Sequence, residues 1–138
     1  METIFVDSNI WCYYFDRSAK EHEAVSREVE RALKERVVIN TVILIEVAHY
    51  LIKNLGPLEG KRKMDIFNSY PMEIVNFDYK LAKKSIEELA KYSHVGIGGR
   101  DATILASMAE NNIKKIMTHD QAFKQIDFIE ILDPVKNE

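Results

Sequence analysis

Four acidic residues of this 138-residue chain lie after predicted strands or within predicted helices, at positions where a carboxylate could take part in chemistry. Asp7 and Asp120 each follow a short apolar run, "TIFV" and "KKIMT", with the composition of a buried strand. Asp101 falls in the first turn of the helical pattern "RDATILASMAENN", and Glu46 lies inside the apolar segment "VILIEVAHYLI". Brought to one place, four carboxylates repel one another unless they are protonated or neutralised by cations. A hard divalent ion, Mg²⁺ or Mn²⁺, suits such an all-oxygen site.

Each acid taken singly also has a structural explanation. Asp7 and Asp120 are placed to cap a short helix, an interpretation as well supported as a functional one. Asp101 complements the dipole of its helix. For Glu46 a functional role is the favoured interpretation, because its helix is apolar on nearly every side and is predicted to be buried on most of its surface. A charged Glu there is costly unless it is paired, hydrogen-bonded or bound to a cation.

Short runs of branched apolar residues predict five strands, "TIFVD", "RVVIN", "MEIVN", "KKIMT" and "FIEIL". Helical patterns lie between them, over 21–35, 41–56 (with Thr41 as its cap), 58–70, 78–92 and 100–112, with about one more turn at 120–126. This alternation predicts one α/β domain over 1–138, a three-layer α/β/α sandwich with a mostly parallel five-stranded sheet. Ligands of such sheets bind beyond the C-terminal ends of the strands, so the four acids are placed to converge on one edge.

Composition limits the classes of function. The chain is 46% hydrophobic and 30% charged, which is enough apolar material for a packed core. Its formal net charge of −3 gives no overall attraction to nucleic acid, so a phosphate ligand needs a local basic face or a bound cation. Basic residues for such a rim, or simply for solvated faces, are Lys61, Arg62, Lys63, Lys83, Lys84, Arg100, Lys114 and Lys115.

The chain is expected to be cytoplasmic. Cys12 is the single cysteine, so no intramolecular disulfide forms and a reducing compartment is indicated. Acidic residues interrupt the N-terminal segment, which therefore does not resemble a signal peptide. The longest apolar region is broken by Asn40, Glu46 and His49, and it is too short for a membrane span.

Other catalytic motifs are missing from the sequence. The four histidines have no H-E-x-x-H spacing, and neither a G-x-S-x-G elbow nor a P-loop is present. The glycines of "GIGGRD" lack the spacing of a dinucleotide fingerprint. His119 lies beside Asp120 in the sequence, yet an exposed or core histidine is the favoured interpretation.

From Ile4 to about Leu132 the chain resembles the PIN domain family, in the order and spacing of "DSN", "INTVILIE", "RDATILASMA" and "IMTHDQAF". The resemblance implies a parallel five-stranded sheet and a metal-dependent ribonuclease centre. The family's four acids fall on Asp7, Glu46, Asp101 and Asp120. It implies that Asp7 and Asp101 hold one Mg²⁺ or Mn²⁺ most directly, while Asp120 and Glu46 contribute through water or a second ion. Thr118 matches a hydroxyl residue that orients the acids, Asn9 matches an assisting polar residue, and Ser8 is a weaker match.

Chains of this size resemble most the VapC toxins of toxin–antitoxin pairs. That resemblance implies an RNA substrate, a homodimer and a small antitoxin that covers the acidic site. The aromatic segment "NIWCYYF", which includes Trp11, Tyr13 and Tyr14, is placed either on such a surface or in the core.

Other hypotheses stay open at this point. A phosphoacceptor receiver domain also combines a parallel sheet, strand-end acids and Mg²⁺, but "VDSN" lacks its second acid. A sugar-phosphate phosphatase of the D-x-D type is disfavoured because position 9 is Asn. A non-catalytic interaction module with the PIN fold is disfavoured by the Glu46 carboxylate within an apolar helix.

Overall fold

The computed structural model describes residues 2–135 of the chain. It contains five strands and six α-helices over that range: β1 (Thr3–Val6), α1 (Ser8–Phe15), α2 (His22–Ala32), β2 (Arg36–Asn40), α3 (Thr41–Leu55), α4 (Pro57–Asn68), β3 (Met72–Val75), α5 (Tyr79–Lys91), α6 (Gly99–Glu110), β4 (Lys115–Met117) and β5 (Glu130–Leu132). Short 3₁₀ turns cover Ser93–Val95 and Gln121–Gln125. Every predicted strand and helix is confirmed, with ends that differ by a few residues.

All strand pairs are parallel, in the order β3-β2-β1-β4-β5. Crossovers between parallel strands are right-handed, so α1 to α4, which connect β1, β2 and β3, cover one face. The return from β3 to β4 places α5 and α6 on the other face, where they pack together. The predicted sheet with helices on both faces is therefore confirmed.

The central strand β1 is apolar on both faces because helices cover both sides of it. Ile4, Phe5 and Val6 are buried, and Phe5 is completely inaccessible. The indole Nε1 of Trp11 donates to the Val6 carbonyl at 3.2 Å, which fastens α1 to the end of β1. Trp11 itself packs in the core against Phe67, at 4.6 Å between ring centroids. The core placement of this aromatic segment is thus the correct alternative for Trp11.

The start of α3 differs from the prediction. Asn40, not Thr41, caps the helix, since its side-chain oxygen accepts from the Ile43 N–H at 2.9 Å. Asn40 is completely buried, and its Nδ2 also donates to Ser107 Oγ of α6 at 3.0 Å. One amide side chain therefore sets the positions of both α3 and α6, the helices to which Glu46 and Asp101 belong.

The expectation that α3 is buried on most of its surface is wrong. Only Ile43, Val47 and Leu51 form its buried stripe, whereas Ile45 is 71% exposed. The helix is apolar on nearly every side, but its packing partners α1 and α4 cover only part of it. The apolar composition of α3 is therefore not a reliable indication that the helix is buried. Within residues 2–135, no helix has the length and apolar character to cross a membrane.

Gly60 sets the close packing of α4 on α3. A Cβ at this position would lie 2.7 Å from the Ile52 Cα and 2.8 Å from its backbone nitrogen. Backbone atoms cannot move aside as the tip of a flexible side chain can.

We expect Gly60→Ala to lower the free energy of unfolding by about 1–3 kcal/mol, measured by urea denaturation. The matched control is Gly99→Ala, where an added Cβ meets no atom within 4 Å and the expected change is under about 1 kcal/mol. Equal stability of the Gly60→Ala and wild-type proteins would contradict this account of the α3–α4 contact.

Candidate active site

The strand order reverses between β1 and β4, which are neighbours in the sheet but far apart in the chain. At such a switch point the two loops diverge and leave a crevice beyond the strand ends. Asp7 directly follows β1, and its backbone N–H extends the ladder to the Met117 carbonyl of β4 at 3.0 Å. Asp120 lies three residues after β4. Two of the four acids are therefore placed at this crevice by the sheet itself.

Thr118 links these two acids. Its Oγ1 donates to Asp7 Oδ2 at 2.7 Å and accepts from the Asp120 N–H at 3.0 Å. Thr118 and Asp7 are both completely buried, so the hydroxyl holds the Asp7 carboxylate in one orientation. The geometry agrees with the orienting position that the family resemblance implies for Thr118.

The two strand-end acids are also helix caps. Asp7 Oδ1 accepts from the Ser8 N–H at 2.6 Å at the start of α1, and Asp120 Oδ1 accepts from the Ala122 N–H at 2.9 Å. The capping interpretation is therefore correct for both residues. Capping uses one oxygen of each carboxylate and leaves their remaining lone pairs free for other contacts.

The other two acids come from helices. Asp101 lies in the first turn of α6, and its side chain is 10% exposed. Glu46 lies in the second turn of α3, and its side chain is 27% exposed. In the described part of the chain, the buried Oε1 atom of Glu46 has no hydrogen-bond partner. Such an atom is costly to bury unless a cation or another donor compensates it.

Arg100 contacts all four acids. Its Nη1 lies 3.0 Å from Asp7 Oδ1, and its Nη2 lies 3.1 Å from Asp101 Oδ1 and 3.3 Å from Asp120 Oδ2. Its Nε lies 3.3 Å from Glu46 Oε2. One guanidinium thus reaches four carboxylates from four separate segments, which shows directly that the predicted acids converge. Arg100 is therefore part of the acidic cluster, and the prediction that it belongs to a basic rim or a solvated face is wrong.

The surroundings raise the pKa of two of these acids. Burial contributes most to Asp101, followed by the charge of Asp120 and a hydrogen bond with it, and together they raise the Asp101 pKa to about 7. Burial also raises the pKa of Glu46, although the Arg100 charge opposes this and the Asp7 charge adds to it. Burial is therefore the main reason that both carboxyl groups hold their protons more tightly, and a neighbouring carboxylate adds to the effect in each case.

Four carboxylates in contact with one cation form a donor set that suits a hard divalent ion. The Glu46 Oε1 atom, buried without a hydrogen-bond partner, indicates a site with capacity for further positive charge. As the side chains stand, no three His, Cys, Asp or Glu groups among residues 2–135 are arranged to hold a metal ion. The Arg100 guanidinium lies between them. The donor chemistry therefore fits a divalent ion, while the spacing of the oxygens fits the guanidinium.

Several predicted neighbours lie outside this cluster. Asn9 Oδ1 accepts from the His119 N–H at 3.5 Å, and its side chain lines the same groove as Glu46 and Arg100 without a hydrogen bond to any of the four carboxylates. The half-buried His119 is neither an exposed nor a core histidine, so the favoured interpretation is wrong; its ring Nδ1 lies 3.0 Å from Asp133 Oδ2. Lys61 pairs with Asp65 and Arg62 with Glu59 within α4. The exposed Lys61 and Arg62 are therefore part of a solvated helix face.

A groove of about 560 Å³ joins the cluster along α3, on the side of α1. Glu46 and Arg100 belong to its lining at the acidic end, and Tyr13, Tyr50 and Lys53 belong to it farther along. Glu46, Tyr50 and Lys53 are spaced four and three residues apart, so they share one face of α3. A larger hollow of about 990 Å³ lies elsewhere, beside α2 and the segment after β5, and none of the four acids lines it.

The raised pKa of Asp101 predicts how the protein without metal responds to pH. The folded state holds the proton more tightly than the unfolded chain, whose Asp has the ordinary pKa of 3.8. The free energy of unfolding therefore falls as pH rises from about 4 to about 7. Between pH 5 and 8 in chelator, we expect wild type to lose about 1–2 kcal/mol relative to Asp101→Asn, which has no such proton. Urea denaturation at each pH measures this, with Asp65→Asn on exposed α4 as the control that follows wild type. Parallel curves for wild type and Asp101→Asn would contradict it.

Comparison with known proteins agrees with this geometry. A model of the PIN domain family matches residues 4–129. Ribonuclease VapC2 of Methanocaldococcus jannaschii is 25% identical over 143 aligned residues, covering 94% of this chain and 93% of that protein. Two crystal structures share the fold: Mycobacterium tuberculosis VapC20, a toxin that cleaves the sarcin–ricin loop (TM-score 0.78, 20% identity, 91% of this chain and 96% of that one), and Rickettsia felis VapBC2 bound to promoter DNA (TM-score 0.74, 22% identity, 94% and 97%). With a family match over most of its length and this sheet topology, the chain belongs to the PIN domain family.

Proposed function

We propose that this protein is a metal-dependent endoribonuclease that hydrolyses RNA phosphodiester bonds. The observation that carries the proposal is the convergence of Asp7, Glu46, Asp101 and Asp120 on one guanidinium at the switch point of the sheet. Four buried or half-buried carboxylates lower the stability of a fold, and the need to bind a cation for catalysis explains why they are brought together. The similarity to a ribonuclease over 94% of the chain supports the reaction class.

Asp7, Asp101 and Asp120 are the residues that would hold Mg²⁺ or Mn²⁺, with Glu46 contributing through water or to a second ion. Such an ion activates a water molecule and stabilises negative charge on the phosphoryl oxygens. Thr118 keeps Asp7 oriented through its 2.7 Å hydrogen bond. The caps at Asp7 and Asp120 fix the two carboxylates to the backbone, so the site is organised before substrate arrives.

The groove along α3 is the proposed path of the RNA strand next to the cleavage site. Tyr13 and Tyr50 give it aromatic surface, and Lys53 gives it positive charge two helical turns from Glu46. Aromatic surface with a local cation is typical of sites that bind single strands. A local groove of this kind is needed because the whole chain has a formal net charge of −3.

We further propose that the protein is the toxin of a VapBC-type pair, acts as a homodimer and is inhibited by a small antitoxin. The Rickettsia felis structure, which shares the fold, is a VapBC2 complex. Large apolar side chains of α3, α4 and α5 are exposed and give such partners surface to cover: Ile45, Leu58, Tyr79 and Ile86. Burying surface of this kind is the main driving force of protein association.

The decisive experiment is cleavage of a structured RNA pool by the purified chain in Mg²⁺, in Mn²⁺ and in chelator. We expect cleavage with either metal and none in chelator. Asp7→Asn should lower the rate by about 100-fold or more, because losing metal-dependent charge stabilisation costs several kcal/mol of barrier. Asp101→Asn should behave in the same way.

Two controls separate chemistry from folding. Asp65→Asn changes an exposed carboxylate of α4 and should cleave at the wild-type rate. Circular dichroism and melting temperature should show that the Asp7→Asn variant is folded, since an Asn side chain can still accept the Ser8 hydrogen bond. Full activity of Asp7→Asn, or cleavage that chelator leaves unchanged, would refute the proposed function.

A further inference from the structure

We propose that Arg100 is a positioning residue that competes directly with the divalent ion for the four carboxylates. In this account the guanidinium holds the acids together in the metal-free protein, and it leaves the cluster when the ion binds. The inference rests on the proposed metal-dependent function, because it concerns the same carboxylates. Its test measures metal binding and stability, which do not depend on RNA cleavage.

The first argument is that Arg100 and a metal ion would use the same oxygen atoms. Arg100 takes Asp7 Oδ1, Asp101 Oδ1 and Asp120 Oδ2, at 3.0, 3.1 and 3.3 Å. The other oxygens of Asp7 and Asp120 accept from the Thr118 hydroxyl and the Ala122 N–H, and Asp7 Oδ1 also accepts from the Ser8 N–H at 2.6 Å. The oxygens that face the centre of the cluster are therefore the ones that the guanidinium occupies.

The second argument concerns distance. Oxygen ligands lie about 2.0–2.1 Å from Mg²⁺, whereas the carboxylate oxygens here lie 3.0–3.3 Å from guanidinium nitrogens. A planar guanidinium whose nitrogens lie 3.0–3.3 Å from the oxygens keeps the acids farther apart than an ion bound at about 2.0–2.1 Å does. The arrangement around Arg100 holds no three ligands for a metal among residues 2–135. Both cations cannot be bound in the same place at once.

The third argument is electrostatic. A guanidinium is charged at every pH that the fold survives, so it is a permanent partner for the acids. It supplies one positive charge to four carboxylates, which is too little to neutralise them. A divalent ion supplies twice that charge at shorter distance and is favoured once it is present. Arg100 therefore lowers the affinity for the ion without blocking it.

Arg100 also has a way out of the cluster. Its side chain is 36% exposed, whereas the Asp7 side chain is completely buried. It belongs to the lining of the α3 groove, and its Nη1 lies 3.1 Å from Ser8 Oγ at the edge of that groove. In the proposed exchange the guanidinium moves into the open groove by rotation about its side-chain bonds.

The test compares Arg100→Ala, Arg100→Gln and wild type, each as the full chain at pH 7.5. Isothermal titration calorimetry measures the Kd for Mn²⁺, and thermal denaturation in chelator measures the stability of the metal-free protein. We expect both variants to bind Mn²⁺ about tenfold or more tightly than wild type, since a competing charge at about 3 Å is gone. We also expect them to melt at a lower temperature in chelator and to recover most of that loss in saturating Mn²⁺.

Arg62→Ala is the matched control, because Arg62 is an exposed arginine that pairs only within α4. It should leave the Mn²⁺ affinity unchanged. Arg100→Gln keeps most of the side-chain volume, so it separates the loss of charge from the loss of packing if Arg100→Ala folds poorly.

The outcomes distinguish this inference from the proposed function. Equal or weaker Mn²⁺ binding by both Arg100 variants would overturn the competition. Tighter binding by the variants supports it, even if no RNA is cut and the ribonuclease proposal fails. Mn²⁺ binding by the variants alone also supports it, whereas no binding by any of the three proteins would overturn both proposals.

Discussion

Repulsion among four carboxylates is the constraint on which this site depends. The sheet brings Asp7 and Asp120 together at its switch point, and α3 and α6 add Glu46 and Asp101. Acids at this spacing, half-buried or fully buried, oppose folding unless a cation lies among them. In this structure Arg100 is that cation, with a nitrogen within 3.3 Å of an oxygen from each acid. The four acids therefore depend on one positive charge, and in our proposal the side chain that carries this charge is able to move.

The rest of the fold keeps the four acids in place against that repulsion. Thr118 and the helix caps fix Asp7 and Asp120 to the ends of β1 and β4. Asn40 joins the start of α3 to α6, and so holds together the helices that supply Glu46 and Asp101. Four of these hydrogen bonds are buried and the Asp120 cap is half-buried, so each is stronger than in water and costly to break. These hydrogen bonds thus fix the four acids in place, whereas we propose that the partly exposed Arg100 side chain is the part of the site that moves.

Much of this arrangement could be predicted from the sequence because it depends on local pattern. The apolar runs predicted all five strands, and the position of Asp7 and Asp120 after two of them predicted a shared edge. Both the capping and the clustering interpretations of these residues hold, since a carboxylate has lone pairs enough for both. The exposed apolar face of α3 was missed because composition does not reveal which neighbours a helix has.

Arg100 was missed for a related reason. One arginine among 19 Lys and Arg residues forms no sequence motif, and the orientation of its side chain depends on the tertiary fold. One signal was present in the sequence: Arg100 directly precedes Asp101, in the first turn of a predicted helix. Counting the charges of the whole predicted cluster, and not of each residue separately, would have indicated that a basic side chain such as Arg100 lies among the four acids.

The central claim is that one cluster of carboxylates is held by one cation at a time. A crystal structure of the wild-type chain grown with MnCl₂, with anomalous scattering recorded at the manganese edge, tests it most directly. The account predicts an anomalous peak among Asp7, Asp101 and Asp120, with the Arg100 guanidinium turned into the α3 groove. A peak at that position with Arg100 still in contact with all four acids would contradict the claim, and so would Arg100 turned away with no ion in its place.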